Sequence, residues 1–223
     1  MEEALSSKMD IKAFIFDMDG LLFDSERIVQ RSWEMAGDEL GIPHMGEVIY
    51  HTLGMNRTGR NEYFRKYIRE DFPFEEFGKL TRDNFWKIVD KEGLPLKKGA
   101  KELLAYGKSQ GYKMAVATSS SREYAMGNLI RAGIDSYFDS VVCGDMVKKA
   151  KPDPEIYQKA CESLGIQPEY CMAFEDAPGG ILSAHQAGMH VIMVPDLVQP
   201  TQEIRELTYR VCDSLADVIG ILN

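Results

Sequence analysis

The chain is short of the residues that would staple it, anchor it in lipid or draw it to polyanions. Four cysteines, Cys143, Cys161, Cys171 and Cys212, are scattered through 223 residues with no C-x-x-C pair and no zinc-like spacing. Neither a disulfide framework nor a cysteine zinc site is expected, and reduced core thiols are. No apolar stretch approaches the roughly 20 residues of a membrane span. Met1 to Asp10 is acidic and polar where a secretory leader is basic and then apolar. A cytoplasmic protein with no membrane partner is therefore expected. Positive charge is scarce as well, with 26 Lys and Arg against 35 Asp and Glu, a net charge of −9 and a pI near 5.0. Long-range repulsion argues against nucleic acid as the main partner. A hydrophobic content of 44% and a charged content of 27% exclude the disordered and collagen-like classes and name no activity. The length suits one large core, or a core with a smaller domain, and a monomer is expected.

What the chain does contain is an alternation of short apolar runs and helical segments. The run Ile11 to Phe16 ends in Asp17-Met18-Asp19-Gly20. From about Asp24 to Lys91, apolar residues such as Ile28, Trp33, Leu40, Phe64, Phe77 and Ile88 recur at helical spacing with no strand among them. Gly41-Ile42-Pro43 and Asp71-Phe72-Pro73 divide this stretch into about three helices, and Glu92-Gly93-Leu94-Pro95 closes it. Strand-like runs follow at Met114 to Ala117, Val141 to Cys143, Cys171 to Phe174 and Val191 to Val194, with helices between them. This pattern predicts an α/β fold, a doubly wound parallel sheet covered on both faces. Residues 24–91 would be an inserted small helical cap domain, and residues 1–23 and 92–223 the α/β core domain.

Open parallel sheets bind ligands beyond the carboxyl ends of their strands, so the polar residues just after each run should converge. They are Asp17 and Asp19, then Thr118, Ser119 and Ser120, then Lys151 before Pro152, then Glu175 and Asp176. Each has an ordinary reading. A D-x-D-G can be a solvated strand-to-turn junction, and the hydroxyl run can cap a helix. Lys151 can be a solvated neighbour of Lys148 and Lys149, and Glu175-Asp176 can cap the helix that Pro178 starts. Together, however, the carboxylates supply hard oxygen ligands for a divalent cation, and the hydroxyls and lysine supply donors for phosphoryl oxygens. A divalent cation and a phosphate group are the expected ligands.

With these four motifs in this order, the chain resembles the haloacid-dehalogenase-like superfamily from Phe14 to about Pro195, most closely its β-phosphoglucomutase-like branch. That branch also holds many sugar-phosphate and nucleotide phosphatases. The resemblance implies a Rossmann-like core and a cap that closes over the site. It implies Asp17 as a nucleophile that forms an aspartyl-phosphate, and Asp19 as general acid and base. Mg²⁺ would be held by the Asp17 side chain, the Asp19 backbone carbonyl and Asp176, with Glu175 orienting its waters. Thr118, with Ser119 beside it, and Lys151 would hold the phosphoryl oxygens. Arg57 in Gly54-Met55-Asn56-Arg57 would grip the substrate from the cap. Trp33 and Tyr63 are expected in the cap core.

The superfamily spans phosphatases, phosphomutases, phosphonatases and dehalogenases, so individual positions must separate them. Its dehalogenases generally lack the second aspartate, which is present here as Asp19. Its β-phosphoglucomutases carry a histidine five residues beyond the aspartate matching Asp24, and here that position is Val29; none of His44, His51, His185 and His190 aligns with it. The resemblance thus implies a Mg²⁺-dependent phosphatase of a small phosphorylated metabolite. A β-phosphoglucomutase-type phosphomutase is the alternative, and a non-catalytic phosphate-binding module is a third reading.

Overall fold

The computed structural model describes residues 10–52 and 57–222, residue 57 by its backbone alone. The elements run β1 (Ala13–Phe16), α1 (Ser25–Glu39), α2 (Met45–His51), α3 (Arg57–Tyr67), α4 (Phe74–Glu92), α5 (Ala100–Ser109), β2 (Lys113–Thr118), α6 (Arg122–Arg131) and β3 (Ser140–Cys143). They continue with α7 (Glu155–Leu164), β4 (Cys171–Glu175), α8 (Pro178–Gln186), β5 (His190–Met193), α9 (Gln202–Leu207), β6 (Arg210–Val211) and α10 (Leu215–Leu222). The six strands form one parallel sheet in the order β3-β2-β1-β4-β5-β6. β1 is central and wholly buried, and the chain order reverses direction beside it, which opens a crevice at the strand ends.

Strand periodicity sorts the apolar residues onto two faces. Phe14, Phe16, Met114, Val116, Met172 and Phe174 face one layer with Leu103 and Leu104 of α5, Leu129 of α6 and Val218 of α10. Phe16 stacks on Phe174 at 4.7 Å between ring centroids, and Phe14 meets Phe174 edge-on at 5.2 Å. The opposite face is small-residue: Ala13, Ala115, Ala117 and Ala173 pack against Tyr157 and Ala160 of α7 and Ile181 and Ala184 of α8. Both faces being covered explains why the strands read as continuous apolar runs. All four cysteines are buried and free.

Helices α1 to α4 surround a third apolar cluster that includes Trp33, Ile42, Met45, Phe64, Phe72 and Phe77. Tyr63 is packed against it partly buried, and so is Leu197 from the loop after β5. The chain enters and leaves this insert through two neighbouring segments. Phe23 bridges Leu96 antiparallel, Asp24 N–H donates to the Pro95 carbonyl at 2.9 Å, and Lys97 N–H donates to the Leu22 carbonyl at 2.9 Å.

Three details differ from the sequence reading. The insert holds four described helices rather than about three. The extra break follows His51, where no proline stands and the Thr52 hydroxyl donates back to the carbonyls of Val48 and Ile49, taking up the last turn of α2. A sixth strand, Arg210–Val211, was not expected, because two half-exposed residues at a sheet edge carry no apolar pattern. The cap of α6 is Ser121, whose Oγ accepts from Tyr124 N at 3.4 Å, rather than any residue of Thr118 to Ser120.

Removing the ring that ties β4 to β1 tests the layer arrangement. Phe174→Ala should cost about 3–5 kcal/mol, the usual loss for a fully buried phenylalanine. Ile130→Ala on the exposed face of α6, with Ile130 59% accessible, should change stability by less than about 0.5 kcal/mol. Urea midpoints at a common m-value measure both, and similar costs for the two would contradict the assignment of layers.

Candidate active site

The carboxyl ends of β1, β2 and β4 bring most of the expected residues to one edge. Asp17 follows β1 directly, Thr118 is the last residue of β2, Glu175 is the last of β4 and Asp176 follows it. Lys151 reaches them from the loop before α7, across a cis Lys151–Pro152 peptide. Its ammonium donates to Asp17 Oδ1 at 2.6 Å, to Glu175 Oε1 at 2.6 Å and to the Ala117 carbonyl at 3.0 Å. Glu175 Oε1 also accepts the Tyr157 hydroxyl at 2.5 Å. A side chain at position 180 would collide with the Glu175 carboxylate, so Gly180 keeps that space open. The loop after β1 turns sharply, with Leu22 and Phe23 N–H both donating to the Met18 carbonyl. Gly20 in that loop has φ +83°, and a Cβ there would run into Asp176 Oδ2.

Asp19 lies beside this cluster and is held differently. Its Oδ2 accepts Ser120 Oγ at 2.7 Å and its Oδ1 accepts Tyr124 Oη at 3.0 Å. Ser120 N–H in turn donates to Thr118 Oγ1 at 3.1 Å. Six expected residues thus share one site: Asp17, Asp19, Thr118, Lys151, Glu175 and Asp176. Ser119 is exposed, two residues short of the cap of α6. The Arg57 side chain lies outside the described residues.

Sequence reasoning passed over Tyr157, Tyr124 and the pair Lys97–Asp196, whose Nζ and Oδ1 lie 2.6 Å apart. Tyr157 reads as one more apolar residue on the buried stripe of α7, and nothing in its spacing marks its hydroxyl. Lys97 and Asp196 stand 99 residues apart in the chain. Asp196 Oδ2 is buried without a partner, next to Gly20 and Asp176.

Between this edge and the helical insert lies a cleft of ≈ 320 Å³, bounded by Glu26, Val29, Trp33 and Arg60 on the helical side and by Asp176 and Leu197 on the other. Arg60 is its one cation among the described lining residues, and its guanidinium lies 5.8 Å from the centre of the Trp33 ring. Burial raises the Glu26 carboxyl above its ordinary range, helped by the charges of Asp196 and Asp19.

The charge arrangement is unusual for a buried site. Burial pushes the Asp17 carboxyl up from 3.8 to about 7; Lys151 opposes the rise, and Glu175 and Asp19 add to it. Asp176 is raised too, by burial and then by Asp17 and Glu175. Lys151 sits above the ordinary lysine range although burial works against it, because Asp17 and Glu175 more than offset that burial. One lysine therefore faces three carboxylates.

A family model for haloacid dehalogenase-like hydrolases matches residues 11–188. The chain belongs to this family. Relatives include the phosphorylated carbohydrates phosphatase of Thermotoga maritima, 33% identical over 182 residues and covering 82% of this chain and 84% of that protein. Hexitol phosphatase A of Escherichia coli is 33% identical over 186 residues, covering 83% and 84%. Among solved structures, CbbY from Rhodobacter sphaeroides in complex with phosphate superimposes with a TM-score of 0.71 at 26% identity, covering 93% of this chain and 96% of that one. The chain is an enzyme of the hydrolase class that this family name describes. No helix among the described residues is long and apolar enough to cross a membrane.

Members of this hydrolase family generally use Mg²⁺, and the donor set here fits a hard divalent cation. One carboxylate oxygen from each of Asp17, Glu175 and Asp176 lies within 4.8 Å of the others. Asp17 and Asp176 are held against each other with too little positive charge to neutralise both. The pH dependence follows from the raised values. A carboxyl whose folded pKa lies above its unfolded one holds extra protons in the fold between those values, so the metal-free fold loses stability as pH rises from about 4 to about 7. A divalent cation binds the ionised carboxylates alone. Mg²⁺ should therefore raise the melting temperature far more at pH 8 than at pH 5. At a hundredfold excess over Kd the gain is about 2.7 kcal/mol, or roughly 5–10 °C. Calorimetry at the two pH values, beside Asp176→Asn, checks this; an equal shift at both, or a full shift in the variant, would contradict it.

Proposed function

We propose that the protein is a Mg²⁺-dependent phosphatase of small phosphorylated metabolites, with sugar and polyol phosphates as the preferred class. The observation that carries the reading is the pairing of Asp17, clamped by Lys151 beside Asp176, with Asp19 two residues on, under a cleft of ≈ 320 Å³. That volume lies at the small end of ligand sites, which run from about 300 to 1,000 Å³. The names of the two phosphatase relatives, acting on phosphorylated carbohydrates and on a hexitol phosphate, support the same class.

In this reading Asp17 attacks phosphorus. As its new bond to phosphorus forms, the ester P–O bond breaks and the leaving oxygen takes the proton of Asp19. A water then attacks the same phosphorus, the acyl-phosphate bond breaks to return the Asp17 carboxylate, and Asp19 takes the proton that water gives up. The products are an alcohol and inorganic phosphate. Lys151 orients Asp17 and keeps it from recoiling against Glu175. Thr118 stands buried at the end of β2, where its hydroxyl can turn to a phosphoryl oxygen. Asp17, Asp176 and the Asp19 carbonyl would hold the cation, with Glu175 behind them. When bound, it supplies the positive charge that lets an anionic ester approach an anionic nucleophile.

The mutase alternative has less support. Val29 lines the cleft at the position where β-phosphoglucomutases place a histidine, and it offers no proton or donor to a reorienting bisphosphate.

Phosphate release from a panel of sugar, polyol and nucleoside phosphates, with Mg²⁺ and with chelator, tests the proposal. Release should require the metal, and Asp17→Asn should reduce it at least about a thousandfold. Retained turnover in that variant would sink the mechanism. Isomerisation of a hexose phosphate without phosphate release would transfer the reading to the mutase.

A further inference from the structure

The proposed acid and base, Asp19, is held by two hydroxyls to which the reaction above gives no role. Ser120 Oγ secures Oδ2 at 2.7 Å and Tyr124 Oη secures Oδ1 at 3.0 Å. The two anchors stand on different ground. Ser120 belongs to the loop after β2, part of the sheet edge itself. Tyr124 sits in the first turn of α6, and its ring packs on two aromatic residues of α4. Trp86 meets it edge-on at 5.6 Å between ring centroids, and Phe85 lies tilted at 6.3 Å. The same helices are joined again farther along, where Arg131 donates to the Val89 carbonyl at 3.1 Å and to Asp90 Oδ1 at 3.3 Å. An open cleft of ≈ 530 Å³ lies beside this seam, lined by Tyr124, Asn128 and Arg131 of α6 and by Trp86 of α4. Burial, then the neighbouring Asp19 charge, lifts the Tyr124 phenol well above its ordinary range, and it stays a donor at any working pH.

We propose that Tyr124 is a positioning residue for Asp19, and that through Trp86 it ties the aim of that carboxyl to the seat of α4. This rests on the phosphatase reading given above. Each oxygen of Asp19 accepts one hydroxyl and keeps a second lone pair, so the two bonds fix the plane of the carboxyl and leave a place on it for a proton aimed at the leaving oxygen. Ser120 is fixed to the sheet, whereas Tyr124 is fixed to a seam with the helical insert. The Tyr124 bond therefore carries the packing of α4 to the carboxyl, and while it is made the plane of Asp19 stays turned toward the ester. Tyr124 keeps its own proton throughout. The single proton transferred in ester cleavage passes from Asp19 to the leaving oxygen as the P–O bond breaks.

The test is the leaving-group dependence of kcat/KM over substituted phenyl phosphates, in the full-length enzyme with Mg²⁺. p-Nitrophenolate leaves without a proton, and p-methoxyphenolate needs one. Tyr124→Phe keeps the ring and the seam. It should lower kcat/KM for p-methoxyphenyl phosphate about tenfold and for p-nitrophenyl phosphate less than about twofold, a part of the 10²–10⁴ that general acid catalysis supplies. Trp86→Ala keeps the hydroxyl and removes its seat, and should move the same ratio by about threefold in the same direction. Equal losses on all esters in both variants would mark Tyr124 as merely structural and overturn the proposal, and so would unchanged ratios. If the unaltered enzyme hydrolyses no phosphate ester at all, the phosphatase reading falls and takes this proposal with it. If it hydrolyses the series and the variants leave the ratio unmoved, the Tyr124 assignment alone falls.

Discussion

The contact on which the rest of the site depends is the buried ammonium of Lys151 between Asp17 and Glu175, 2.6 Å from each. Ions held away from water cost several kcal/mol apiece unless geometry and hydrogen bonds offset the loss. Here part of that offset comes from the Ala117 carbonyl at Lys151 and from the Tyr157 hydroxyl at Glu175. It is incomplete for Asp17 and Asp176, whose charges stay close together and resist ionisation. That residual repulsion suits the edge to a cation and, beyond it, to an anion such as a phosphate ester.

One geometric rule supplies the position of every member except Lys151, which reaches in from the loop before α7. In a parallel sheet all strands end on the same side, so residues at the ends of β1, β2 and β4 meet without any long side chain having to search for the site. The aromatic layer on one face and the alanine layer on the other hold those ends in register. Side-chain volume is also withheld where the charges meet, at Gly20 against Asp176 and at Gly180 against Glu175. The helical insert is tied back to the core at three places: the paired segments at Phe23 and Leu96, Leu197 packed into the insert's own cluster, and the seam between α4 and α6. The last of these runs through Tyr124 to Asp19, which joins the packing of the insert to the chemistry of the edge.

Much of this was legible in the chain itself. Short apolar runs followed by Asp, Thr, Lys and Glu-Asp pointed to the parallel sheet and to the edge where those residues meet, since strand period and chain direction are local properties. Contacts made across the fold were not legible. Tyr124 meets Asp19 over 105 positions, and Lys97 meets Asp196 over 99; neither pair has a spacing that could announce it. Tyr157 was hidden for another reason, because an aromatic on a buried helical stripe reads as packing, and here packing and hydrogen bonding fall on the same side chain. The break after His51 lacked a proline, and β6 was too short to show a period.

The central claim is that Asp17 is the proposed nucleophile at this edge, and chemical trapping tests it most directly. Enzyme turning over a hydrolysed ester with Mg²⁺ would be quenched and treated with borohydride, which reduces an acyl phosphate to the alcohol, and the peptides would be read by mass spectrometry. The account predicts conversion of Asp17 to homoserine that depends on substrate and metal. A phosphoryl group found on any other side chain, with Asp17 untouched, would contradict it.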